Sequence, residues 1–352
     1  MNKVRTGFLR SSSVVPTTLA LALALLTSLR VPRSAATSAA YLPAAKPAAV
    51  ERPPIVGVAH IALKTENLAA AREFYGHVLG LAEVTNLDET SAGGEQIVYF
   101  KVNDHQYIEI FEKKQISPNE DRLINIAFET TDVSRLRAYL ASRDVDVGSM
   151  APGPRRLTGI AVRDPDGHSV EFFQYRPGGP VSRNFGKFLP ATRVSDDMIH
   201  VGVTVADRAA ADKFYGDILG FKLMWYGGMN DNRTDWVDMR VPEGTDWLEY
   251  MLGVHNPSPR SLGVMHHFSL GVTSIQTAYQ TVLARGYKAE KPQIGRDGKW
   301  QLNLYDPNLT RAELMEFKPV EKPCCSPMIT PSIGHAFERR HSRPSGNPSY
   351  RW

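Results

Sequence analysis

The chain has 352 residues, 42% of them hydrophobic and 22% charged, which is enough for two ordinary domains and too apolar for a disordered polymer. Its formal charge of +4 sits at the ends: residues 1–50 hold six Lys or Arg and no acid, and residues 321–352 hold five against two, so the part between is acidic, about −5. A nucleic-acid partner needs a basic face, and that acidic middle does not supply one.

The chain opens on Lys3, Arg5 and Arg10, continues into the apolar run LALALALL from Leu19, and reaches the small residues SAATSAA. Basic, apolar, small is the order of an export signal, so residues 1–40 are expected to be removed near Ala36 or Ala40, leaving a periplasmic or secreted protein. An uncleaved N-terminal anchor is the other reading, with Arg30 and Arg33 behind the apolar run. That run is too short for a comfortable membrane span, and none is expected. The Ala/Pro-rich residues 41–54 read as a flexible linker.

From residue 55 a unit recurs four times. Each copy begins with a β-type apolar run: VGVAHIAL, LINIAFE, MIHVGVTV and MHHFSLGV. A helical stretch follows. In the first copy Leu68, Ala71, Phe74, Tyr75 and Val78 keep the spacing of a core-facing stripe and Gly80 supplies the stop; in the third, Ala210, Phe214, Ile218 and Gly220 do so. Copies two and four carry RLRAYLASRDV and IQTAYQTVLARGY, and β-rich runs with Gly, Asn and Asp turns complete each unit as β-α-β-β-β. Copies one and three are offset by 140 residues; His60 to Glu109 is 49 residues, and so is His200 to Glu249. Asn125 to Glu171 and His267 to Glu313 are both 46. Such internal repetition decides the architecture before any residue is read for chemistry.

In the strand YIEIF alternate side chains share a face, so Tyr107, Glu109 and Phe111 point one way and Ile108 and Ile110 the other. If the aliphatic face lies under the helices, Glu109 faces an open cleft, and by the same count so do Glu249, with Trp247 and Met251, and Glu313, with Met315. Carboxylates over apolar strands are costly to desolvate unless a cation or donors meet them. His266 beside His267, and Glu316 near Glu313, fall on the opposite face and are read as non-ligands. His168 is read as a polar residue of the DPDGH turn. Trp225, Tyr226, Trp236, Trp247 and Trp300 are placed near the clefts. The tail, residues 321–352, lacks apolar periodicity and is expected to be disordered and dispensable for folding. Cys324 and Cys325, the only cysteines, lie in it. Adjacent cysteines rarely bond to one another, so free thiols or intermolecular pairing are expected.

The four modules, the FYG…LG helix ends, the His in the first strand, the DPDG turn and the Glu in the last strand resemble the vicinal oxygen chelate superfamily, which includes glyoxalase I, extradiol dioxygenases, fosfomycin-modifying enzymes and bleomycin-resistance proteins. The resemblance implies an α+β fold of four βαβββ modules paired into two domains with U-shaped mixed sheets, at residues 55–178 and 196–320. It implies one divalent metal ion, Zn, Fe, Mn or Ni, held by His200, Glu249, His267 and Glu313, with Asn125 impairing the matching set His60, Glu109 and Glu171. If modules pair across the halves instead, His60 and Glu109 join His267 and Glu313. The implied partner is a small molecule chelated through adjacent oxygens, in a monomer or homodimer, with Glu249 or Glu313 moving protons in glyoxalase-like lyase or isomerase chemistry. His200, His267 and Glu313 alone would suit an iron-dependent dioxygenase. Against ring cleavage, GRDGKWQLNLYDP lacks the His that extradiol signatures carry there, offering only Lys299 and Trp300. A metal-free small-ligand-binding protein of the bleomycin-resistance kind is the non-enzymatic alternative.

Overall fold

The computed structural model describes residues 50–329 apart from 88, 91–93, 118, 149–158 and 255–256. The expected export signal, most of the expected linker and the tail beyond residue 329 lie outside the described residues.

Among the described residues, sixteen strands and five α-helices largely follow the repeating order read from the sequence, with one additional helix before the fourth module. The first module contains β1 (Ile55–Thr65), α1 (Leu68–Ala71), β2 (Ala82–Glu83), β3 (Glu89–Thr90), β4 (Gln96–Lys101) and β5 (Tyr107–Glu112). The second contains β6 (Leu123–Thr130), α2 (Val133–Ala141), β7 (Gly159–Arg163) and β8 (Ser169–Phe173); among the described residues its expected second strand shows as a bridge from Gly148 to Ala161. The third contains β9 (Met198–Val205), α3 (Arg208–Ala211), β10 (Lys222–Gly227), β11 (Trp236–Arg240) and β12 (Trp247–Leu252). After α4 (Pro259–Met265) come β13 (His267–Val272), α5 (Ile275–Ala284), β14 (Gln293–Ile294), β15 (Trp300–Tyr305) and β16 (Arg311–Glu316).

The strands form two mixed sheets, β2-β4-β5-β1-β6-β8-β7 with β3 beside β4, and β10-β11-β12-β9-β13-β16-β15-β14. Modules therefore pair within each half, β1 antiparallel to β6 and β9 antiparallel to β13. The crossed pairing of His60 and Glu109 with His267 and Glu313 does not form.

Asn67 and Asp207 cap the N-termini of α1 and α3 by accepting from backbone N–H groups. Each of these helices continues as a π-helical turn, Arg72–Val78 and Asp212–Ile218, and ends at a glycine with positive φ, Gly80 (71°) or Gly220 (82°). The wider turn keeps both aromatic residues of each FYG motif buried. The buried alanine of the third module is Ala211 and not Ala210, one residue from the expected register, since Ala211 is the true counterpart of Ala71.

The halves at 55–178 and 196–320 share one apolar core within a single compact unit. Tyr75 packs against Phe268 of β13, and Phe221 against Phe128 of β6. The Tyr75 hydroxyl donates to Asp306 Oδ2 at 2.8 Å, and symmetrically Tyr215 donates to Asp164 Oδ2 at 2.9 Å. Both aspartates stand in the DP turns, where the other carboxylate oxygen already accepts two backbone N–H groups. The same residue type thus closes its own turn and clasps the opposite half.

Two expectations about the termini are corrected. The last residues of the linker are attached, Arg52 to Glu243 and the Pro54 carbonyl to Thr130. The start of the tail is attached too: Cys324 N–H donates to the Arg296 carbonyl, Ser326 Oγ bridges Tyr226, and Ile329 N–H donates to the Met224 carbonyl. Cys324 and Cys325 are bonded to each other as a disulfide, contrary to expectation; Cys325 takes a positive φ of 73°, which bends the chain tightly enough for neighbouring thiols to meet.

Candidate functional site

In the second sheet the pairing register lays two rows of residues on one face. One row runs Trp247–His200–Ser269–Glu313 across β12, β9, β13 and β16. The other runs Asp238–Glu249–Gly202–His267 across β11, β12, β9 and β13. Residues two apart in a strand share a face, so the rows lie side by side. Four candidate ligands, His200, Glu249, His267 and Glu313, meet there.

His200 Nε2 is 3.0 Å from His267 Nε2 and 3.4 Å from Glu313 Oε2, and His267 Nε2 is 3.1 Å from Glu249 Oε2. Glu249 Oε2 is 3.9 Å from His200 Nε2. Ligand atoms of His200, His267 and Glu313 all fall within 4.8 Å of one another. Donors bound at about 2.1 Å to one ion lie about 3.0 Å apart at right angles and about 3.4 Å apart at the tetrahedral angle. The spacings therefore fit a common cation. His267 Nδ1 donates to the Met265 carbonyl at 2.9 Å, so its Nε2 presents a lone pair, the usual arrangement of a ligating imidazole.

Gly202 makes this possible. A Cβ built at Gly202 would lie 2.1 Å from His267 Cε1, so only glycine lets the ring fold over β9 towards His200. The first half has Ala62 at the matching position, opposite Asn125. An alanine there leaves room for an amide and not for an imidazole.

The electrostatics are those of a crowded site. Burial, reinforced by the Arg311 guanidinium, pushes His267 down to about 3, and burial with His267 and Arg311 holds His200 well below its usual range. Burial also raises Glu249 and Glu313, and raises Asp238 strongly, with the Glu249 carboxylate adding to it. Two neutral imidazoles and reluctant carboxylates are what a divalent ion would relieve.

A cavity of about 190 Å³ opens on His200, Asp238, Glu249 and Glu313, walled by Trp225, Trp236, Trp247, Asp297 and Arg311. Tyr226 and Trp300, also placed near the clefts, pack instead against the apolar core. Among the described residues, Asp238 Oδ1, Trp247 Nε1 and His200 Nδ1 are buried without a hydrogen-bond partner. Lys299 Nζ lies 4.4 Å from the centre of the Trp247 ring. Asp238, Arg311, Ser269 and Gly202 escaped the sequence reading. Arg311 was legible, because it stands two residues before Glu313 in one strand; Asp238 needed the hairpin register.

The matching set in the first half does not converge. His60 Nδ1 is 3.0 Å from Glu109 Oε1, whereas Nε2 faces Asn125 Oδ1 at 3.0 Å and Glu171 Oε2 at 3.6 Å. The two carboxylates address different nitrogens of one ring. In the second half both meet His200 through Nε2 alone.

His266 points away from His267: Nδ1 is 2.8 Å from Asp121 Oδ2 and Nε2 is 2.9 Å from Thr204 Oγ1. Glu316 also faces away, accepting from the Ile275 N–H at the start of α5. His168 is held by Asp164 at 2.8 Å inside its turn and faces Thr204 of the other half.

Among solved structures, the 2,3-dioxygenase LapB from Pseudomonas sp. KL28 matches with a TM-score of 0.57 at 16% identity, covering 78% of this chain and 97% of that one. Homoprotocatechuate 2,3-dioxygenase from Brevibacterium fuscum, in complex with 3,4-dihydroxyphenylacetate, matches at 0.55 and 18% identity over 77% and 82% of the two chains. The enzyme of the same name from Arthrobacter globiformis matches at 0.55 and 20%, over 75% and 80%. These are likenesses of fold. No curated protein matches the sequence. The family model for the glyoxalase/bleomycin resistance protein/dioxygenase superfamily matches residues 57–172 and 198–314, one match to each pair of modules, and the chain belongs to that superfamily.

Proposed function

We propose that the protein is a metal-dependent enzyme acting on a small molecule chelated through adjacent oxygens, with the metal held by His200, His267 and Glu313 and with Glu249 beside them. The observation that carries this is the convergence of those three ligands within 4.8 Å, two of them, His200 and Glu313, lining a tryptophan-walled cavity. A bound divalent ion would act as a Lewis acid on the substrate oxygens. The chain supplies the rest. Glu249, its proton affinity raised by burial, is suited to take a proton from the chelated substrate and return it. Asp238, across the strand pair from Glu249, lines the same cavity and is suited to act as a second proton carrier or hydrogen-bond partner. The tryptophans exclude water and offer flat apolar walls to a planar substrate.

Carboxylates able to shuttle protons favour glyoxalase-like lyase or isomerase chemistry. Two His and one carboxylate favour the dioxygenase reading, which the fold of the 2,3-dioxygenases supports. Elemental analysis of protein purified without chelators is the first test, with about one equivalent of a divalent metal per chain expected. Oxygen uptake with a panel of catechols then separates the readings. Uptake establishes the dioxygenase; metal without uptake, together with solvent hydrogen exchange into α-hydroxyketones, establishes the isomerase type. Wild-type protein that never binds metal leaves the metal-free ligand-binding protein as the better reading.

We also propose export, on the basic, apolar, small order of residues 1–40. Mass spectrometry of the native protein should find a chain starting near residue 40; an intact N-terminus on a cytosolic protein would end the idea.

A further inference from the structure

Arg311 reaches into the ligand cluster. Ala312 faces Phe268 across the parallel pair of β13 and β16, so Arg311 falls beside His267 and shares the cleft face with Glu313. One of its terminal nitrogens, Nη2, is 2.6 Å from His267 Nε2 and 3.8 Å from Glu249 Oε2. The direction of the first contact follows from donor inventory. The Met265 carbonyl can only accept, so His267 Nδ1 carries the ring proton and Nε2 is the acceptor; a guanidinium can only donate. Arg311 therefore donates into the one lone pair through which His267 could hold a metal. Guanidinium and metal cannot use it together.

We propose that Arg311 is a built-in latch on the metal site, a cationic side chain that occupies the His267 lone pair until a divalent ion displaces it. The proposal rests on the metal-dependent reading above. The remaining cations near the cavity have partners that metal binding leaves alone: Arg296 donates to the Gly228 carbonyl and pairs with Asp231, and Lys299 lies over Trp247 and 3.5 Å from Asp297. Arg311 alone among them must let go. Its next partner is already in place, since Glu249 is 3.8 Å away. On that exchange Glu249 would pair with the guanidinium, and His200, His267 and Glu313 would be left to hold the ion.

Competition for a lone pair lowers apparent metal affinity by the strength of the contact that must be broken. A hydrogen bond to a charged group is worth roughly 1.5–3 kcal/mol net, or about tenfold to a hundredfold in affinity. The test is titration of metal-stripped wild type, Arg311→Gln and Arg311→Met with Zn2+ against a chromophoric chelator, with thermal melts to verify that each variant is folded. Lys299→Gln is the electrostatic control, because it removes a nearby positive charge without touching His267. Both Arg311 variants should bind Zn2+ about tenfold or more tightly than wild type, and more tightly than Lys299→Gln. Affinity equal to or weaker than wild type, or matched by Lys299→Gln, overturns the latch while leaving the metal site standing. Failure of wild type and all variants to bind Zn2+ overturns both the latch and the metal-dependent reading.

Discussion

Gly202 is the residue on which the difference between the two halves turns. It faces His267 as Ala62 faces Asn125, and the extra methyl is what an imidazole at 125 would strike. Gly202→Ala is thus expected to push the His267 ring off its position, costing about 1–3 kcal/mol of stability from overpacking and most of the metal affinity. Metal titration together with denaturant melts checks this; unchanged Zn2+ affinity would show that the ring has another way to reach His200. The ligand roles are tested at the same scale. His200→Ala, His267→Ala and Glu313→Ala should each empty the site, whereas His60→Ala should leave the metal in place, because His60 belongs to the other sheet. Release of metal by His60→Ala alone would contradict the pairing within halves.

At the scale of elements, the paired Tyr–Asp clasps between the FYG helices and the DP turns hold the halves together. Burial raises Asp306 to about 6, against a tempering pull from the backbone N–H groups and Tyr75 that it accepts from. The folded chain thus holds this proton more tightly than the unfolded chain, whose carboxylate titrates near 4. The resulting stabilisation is complete below about pH 4 and lost as pH rises through about 6, an upper figure of about 3 kcal/mol for a shift of about two units. Asp306→Asn keeps the turn acceptor and removes the titration, so its denaturant midpoint should change less than that of wild type between pH 4 and pH 7. Parallel pH dependences would assign the effect to other groups.

The strap that follows β16 is a second element-scale case. A chain ended after Val320 loses the hydrogen bonds of Cys324, Ser326 and Ile329 to the cavity-side strand and loop, and should be less stable by about 1–3 kcal/mol; a chain ended after Ile329 should melt as wild type does. Equal melting temperatures for both truncations would return the whole tail to the dispensable class.

At the scale of the molecule, the repeat length, the β-α-β-β-β order and the candidate ligands could all be read along the chain, because strand alternation, helical spacing and the constant 49- and 46-residue intervals are local or periodic properties. Alternation alone placed Glu109, Glu249 and Glu313 on the face away from the aliphatic core, and it separated His266 from His267. Which modules join was beyond it: both pairings satisfy the same pattern, and the choice is made by hydrogen bonding between β9 and β13, residues far apart in sequence. The core shared by the two halves and the docking of the strap were equally out of reach, since each depends on where distant backbone comes to lie. So was the reason the first-half set fails to converge. Asn125 is visible as a missing ligand, but only the register that sets Ala62 against it, and Gly202 against His267, shows why an imidazole fits in one half and not in the other. Periodicity along a strand is a one-dimensional signal, whereas the space available to a side chain is set by its cross-strand neighbour, which the linear order does not name.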